Sequence, residues 1–132
     1  MQALTDLDTL LKYLRPELQP GEYVFGVIDS ASKINQEEIV CLFKEKEGYT
    51  VIVSRTYADQ INLPYAFVAA WITLTVHSAL EVAGLTAAFS TALAKHDIAC
   101  NVVAGFYHDH LFVNADKAEA AMEVLTNLSQ RS

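Results

Sequence analysis

Between Ala66 and Val113 the hydrophobic pattern switches period twice, and the rest of the chain is read around that stretch. From Ala66 to Val76 it alternates. Val68, Ala70, Ile72, Leu74 and Val76 fall on one face, and Phe67, Ala69, Trp71, Thr73 and Thr75 on the other, as the two-residue period of a strand requires. The period then becomes helical, with Leu85, Ala88, Phe89, Ala92 and Leu93 forming an apolar stripe. Lys95, His96 and Asp97 end it, and the histidine suits the negative end of the helix dipole. Strand composition returns from Ile98 to Phe106, and His108-Asp109 reads as a two-residue hairpin tip because both residues tolerate positive φ. A βαββ unit with a helix to follow is most of a ferredoxin-like fold.

The flanks fit the same plan. Thr5 reads as the cap of a short helix with Leu7, Leu10, Leu11 and Leu14 as its buried stripe, closed by Pro16 and Pro20-Gly21. Glu22–Asp29 reads as a strand, whereas Ser30–Gln36 is polar and carries no helical stripe. Glu38–Lys44 and Tyr49–Ser54 pair as a hairpin around Gly48, and Thr56 caps one helical turn through Ile61. Asn62-Leu63-Pro64 links two halves, 1–62 and 63–132, the first of them reduced where a helix would be. Asn114 caps a last helix with Ala118, Ala121, Met122, Leu125 and Leu128 inward. Only Ser129–Ser132 follow, so the final strand of the second half comes from the first half or is dispensed with.

The segment GLTAAFSTALAKHDIACNVVAGFYHDHLFV, preceded by WITLTVHSALE, closely resembles the ACT domain of a group of tandem ACT-like bacterial proteins. It is more distantly similar to the ACT modules of aspartate kinases and of metazoan arginine sensors. EYVFGVID and FKEKEGYTVIVS resemble the first half of the same group, so the likeness spans most of the chain. It implies an α+β fold of two ACT-like, ferredoxin-like halves packed as one pseudo-dimer. It also implies a small-molecule regulatory or sensor module, with an amino acid as effector, no catalytic activity and a separate protein partner.

Composition narrows the partners. Lys+Arg 9 against Asp+Glu 16 leaves a net charge of −7, which disfavours nucleic acid and acidic membrane surfaces. The N-terminus has no basic n-region, and the longest apolar run is far short of the ~20 residues that span a bilayer. A soluble, cytoplasmic protein is expected. Cys41 and Cys100 read as reduced, buried thiols. Hydrophobic content of 52 %, with Trp71 on the strand face away from the helices, points to an oligomer, at least a dimer.

Two groups of residues could carry chemistry. Gly84-Leu85-Thr86 stands at a helix start, where unpaired N–H groups and the dipole favour a carboxylate; a plain turn with Thr86 as cap is the simpler alternative. The resemblance implies an effector at this loop, with Asn101-Val102 of a neighbouring unit completing the site. His77, Ser78 and Glu81 lie in the same connection and are candidates to line the pocket. They have no nucleophile-elbow context to make them a catalytic triad. The competing class is a small cytosolic enzyme or metal-binding protein using His77, His108, Asp109 and His110. No complete ligand set accompanies those residues, so neither a metal nor another cofactor is expected.

Overall fold

The computed structural model describes residues 6–76 and 84–130, so the readings on Thr5, His77, Ser78 and Glu81 lie outside the described residues. Its contacts divide the chain into two compact units, one of residues 1–19 with 70–132 and one of 20–69.

The larger unit begins with α1 (Leu7–Lys12). Asp6 caps it: the carboxylate accepts from the Thr9 N–H at 3.3 Å and the Thr9 hydroxyl at 2.7 Å. Leu10 and Leu14 are fully buried. The short strand β1 (Pro16–Leu18) pairs antiparallel with β5 (Val68–Leu74), Pro16 opposite Leu74 and Leu18 opposite Ile72. This is the strand the second half lacks. The N-terminus supplies it and closes an edge of β5 that would otherwise leave backbone groups unpaired.

β6 (Asn101–Ala104) and β7 (Asp109–Asn114) complete this unit's sheet in the order β1-β5-β7-β6, the strand order of a ferredoxin-like fold. The hairpin tip falls two residues before His108-Asp109. Ala104 pairs with Asp109, and the Gly105 N–H donates to the His108 carbonyl at 2.9 Å, leaving Phe106-Tyr107 at the tip. Asp109 is therefore a strand residue, because cross-strand pairing sets the register and the turn adapts to it.

On one face of this sheet lie α3 (Leu85–Ala94) and α4 (Ala118–Gln130). Leu85, Phe89 and Leu93 of α3 join Ile72, Leu74, Leu111 and Leu125 in one core with Leu10 and Leu14. Burying one such side chain fully is worth about 1.5–3 kcal/mol, so the stripe read from the sequence dominates the helix's stability. Gly84 caps α3 at φ +96° with no side-chain hydrogen bond, and Thr86 lies inside the helix rather than at its cap. At the other end Asp97 takes φ +59° and the Ile98 N–H returns to the Leu93 carbonyl. The His96 Nδ1–H donates to the Ala92 carbonyl at 3.0 Å, a C-terminal contact of the expected kind. A 3-10 turn, Ala115–Lys117, precedes α4, so Asn114 makes no side-chain cap there.

In the smaller unit, β2 (Tyr23–Ile28), β3 (Cys41–Lys44) and β4 (Tyr49–Ser54) form the order β3-β4-β2, and the first residues of β5 pair with β2. Two single 3-10 turns, Ala31–Lys33 and Gln36–Glu38, stand where no helical stripe was found. Ser54, rather than Thr56, caps α2 (Arg55–Gln60), accepting from the Tyr57 N–H at 3.1 Å. Val24, Ile34, Val51, Val53, Ala58 and Leu63 are its core. Among the described residues, no helix is long and apolar enough to cross a membrane.

Candidate functional site

The larger unit's topology gathers polar groups at one end of its sheet. Contacts between β5 and β7 run in opposite directions: the His108 Nδ1–H reaches the Val76 carbonyl at 3.4 Å, and His110 reaches Trp71 and Thr73. β5 and β6 both neighbour β7 in this antiparallel sense, so they run parallel, and α3 must carry the chain back from the end of β5 to the start of β6. The N-terminus of α3 thus shares the sheet end where β7 begins, at His108 and Asp109.

Three observations define that end. Gly84 is exposed, and its positive φ turns the chain into a helix whose first N–H groups have no side-chain cap among the described residues. Thr86 and Ala87 are exposed beside it, whereas the Leu85 side chain is 3 % exposed, so Leu85 can offer only its backbone N–H. Asp109 alternates with Leu111 and Val113 and so faces the helices, yet is only 9 % exposed. Among the described residues its carboxylate has no hydrogen-bond partner. Burial pushes its pKa up, and the neighbouring His108 pulls it part of the way back.

Asn101 and Val102 lie at the opposite end of the same sheet. Asn101 starts β6, pairs with Phe112 and is exposed, while Val102 pairs with Leu111 and packs against the core. Within one chain the topology therefore puts Gly84, Leu85 and Thr86 at the same sheet end as Asp109, with Asn101 and Val102 at the other.

His108, Asp109 and His110 do not converge. On one strand His108 and His110 face one side and Asp109 the other. The His110 Nδ1 accepts from the Trp71 indole at 3.1 Å, and the Thr73 hydroxyl lies 3.1 Å from the same nitrogen. Among the described residues, no group of three or more His, Cys, Asp or Glu could hold a metal ion. Cys41 and Cys100 are half-buried rather than buried, and burial raises both thiols, Cys100 to about 11. Neither offers much thiolate at neutral pH. By sequence, Asp109 falls at a hairpin tip and in the competing enzyme or metal-binding class, not among the ligand-binding residues. The available signal was its alternation with Leu111 and Val113.

An antiparallel sheet in the order β1-β5-β7-β6, with two helices on one face, defines a ferredoxin-like α+β module. Within that class the chain belongs to the ACT domain family, whose sequence profiles match residues 2–70 and 67–127. Such domains are typically small-molecule regulatory binding modules. A Vibrio cholerae protein of unknown function, described as a possible transport protein, is 43 % identical with a TM-score of 0.84, over 93 % of this chain and 95 % of that one. The fold is shared with the ligand-free regulatory subunit of aspartate kinase from Thermus thermophilus (10 % identity, TM-score 0.64, 86 % of this chain and 97 % of that one). It is also shared with the allosteric aspartate kinase of Clostridium acetobutylicum (11 % identity, TM-score 0.67), where 89 % of this chain matches 34 % of that one. No curated protein matches the chain in sequence.

Proposed function

We propose that this protein is a cytoplasmic, non-catalytic sensor that binds an amino acid or a closely related zwitterion at the sheet end where α3 begins. The observation that carries the reading is Asp109, a buried carboxylate with no hydrogen-bond partner among the described residues, at the sheet end where α3 starts from Gly84, a cap with no side chain. A zwitterion needs donors for its carboxylate and acceptors for its ammonium. The first N–H groups of α3, at Gly84, Leu85 and Thr86, are such donors, and Asp109 is such an acceptor. His77, Ser78 and Glu81, from the connection between β5 and α3, are the candidates to read the ligand's side chain.

A second copy would bring in Asn101 and Val102. β6 ends the sheet order, so its outer edge is open among the described residues. If two β6 strands pair antiparallel, Asn101 of the second copy lies beside Ala104 of the first, at the end where α3 begins. A dimer built this way would complete the site and cover both edges.

The test is a thermal-shift screen over the amino acids, followed by calorimetric titration of the hit into wild type and Asp109→Asn. The expected result is one hit whose affinity falls at least about tenfold in the variant, the scale of a lost charge-assisted contact. A hit that binds Asp109→Asn as tightly as wild type would place the site elsewhere.

A further inference from the structure

The unit of residues 20–69 contains a cavity of about 750 Å³ that the sensor reading does not use. It lies between the end of β2, the turn residue Glu47 and the segment 61–64 after α2. Its wall is aliphatic: Val27, Ile28, Ile61, Leu63 and Pro64. Val27 is 63 % exposed and Ile61 37 %, so the cavity leaves apolar surface in contact with water. Its volume lies within the range of small-molecule sites, but it is more open than enclosed, so a ligand held there keeps part of its surface in water.

The rim sets the sign of the ligand. Asp29 and Lys33 face each other at 2.8 Å, with side chains 75 % and 62 % exposed. Lys33 holds the Asp29 carboxyl below its ordinary pKa, so that group is ionised at neutral pH. An ion pair this exposed is weak, so a ligand charge can exchange into it at little cost. Glu47 adds a second carboxylate that makes no ion pair among the described residues. Two carboxylates and one ammonium leave the rim with one net negative charge, on a chain whose net charge is −7. Anions are repelled from such a rim and cations are drawn to it.

We propose that this cavity binds a small aliphatic amine, its alkyl body against Val27, Ile61, Leu63 and Pro64 and its ammonium at Glu47 and Asp29. This site belongs to the smaller unit and is independent of the zwitterion site at Asp109.

Three compounds with one alkyl body separate the chemistry: isoamylamine carries a positive charge, leucine both charges and isocaproate a negative one. Each is titrated into the full chain while NMR follows the methyl groups of Val27, Ile28, Ile61 and Leu63. Isoamylamine is expected to shift these methyls saturably, leucine more weakly and isocaproate not at all. Added salt should weaken the amine. Glu47→Gln, an exposed turn position, should weaken it about threefold to fivefold. Asp109→Asn should leave these shifts unchanged even where it removes amino-acid binding, so the two sites can fail separately. Absence of saturable shifts with isoamylamine, tighter binding of leucine or isocaproate, or unchanged affinity in Glu47→Gln would each overturn the proposal.

Discussion

The indole N–H of Trp71 donates to Nδ1 of His110 over 3.1 Å, which determines the tautomer of that histidine. Tryptophan can only donate, so Nδ1 holds the lone pair and Nε2 the proton. The Thr73 hydroxyl donates to the same nitrogen, and the Gln19 amide donates to Thr73 at 3.1 Å, which ties the segment after β1 into the network. Trp71 also stacks on Phe112, with ring centroids 6.0 Å apart. The face of β5 away from the helices is thus held by a polar chain as well as by apolar contact.

Acid should loosen this network. Burial, and then the charge of His108, hold the His110 pKa below its ordinary value. Unfolded, the side chain takes a proton near pH 6.5; folded, it does so only at lower pH. Between the two the unfolded state holds more protons, so stability falls as pH drops through 6.5 and stops falling below the folded pKa. Urea midpoints from pH 7.5 down to 5, read by the fluorescence of the single tryptophan, should fall more steeply in wild type than in His110→Gln. Equal slopes would show that His110 does not carry the effect.

Asp109 should behave in the opposite sense. Its pKa is raised, so the stability linked to its neutral form is complete below the ordinary carboxylate range and is lost as pH rises through the folded pKa. Asp109→Asn should therefore raise stability at neutral pH, by about 1 kcal/mol on the scale of a buried polar group without a partner. An ammonium ligand favours the ionised form, so on the sensor reading its affinity should weaken as pH falls through that same pKa. Urea unfolding of the two proteins, with calorimetry across pH, checks both.

The N-terminal helix should be part of the larger unit's core rather than an appendage. Leu10 is fully buried in the cluster that holds Phe89 and Leu125. Leu10→Ala should cost about 2–5 kcal/mol in denaturant unfolding, the range for a large-to-small change in a packed core. A cost below about 1 kcal/mol, that of an ordinary surface substitution, would contradict the packing.

Gly84 is constrained by its own backbone before any ligand is considered. At φ +96° an added Cβ would come 3.1 Å from Leu7 Cδ2. Gly84→Ala should lower the ligand-free melting temperature, at a cost of roughly 1 kcal/mol or more. A β-branched residue there would strain the turn as well as crowd a ligand, so Asp109→Asn is the cleaner probe of binding.

The sequence alone determined the elements whose signal is local. The alternation from Val68 to Val76 and the stripe of Leu85, Phe89 and Leu93 could be read because side-chain direction follows backbone periodicity within a few residues. The helix start at Gly84 could be read for the same reason, and with it the donor end of the proposed site. Tertiary structure decided whatever depends on partners distant in the chain. Pairing of β1 with β5 brings Gln19 to Thr73 across 54 residues, and no local pattern announces it. Phe106-Tyr107 lacks the residues that mark a tight turn, so the tip was read at His108-Asp109; pairing of Ala104 with Asp109 set it instead. That shift turned Asp109 toward the helices and buried it, because a strand's register decides which face each side chain takes. The cavity beside Val27 and Leu63 is likewise a product of packing, formed where residues far apart in the chain come together around space that no side chain fills.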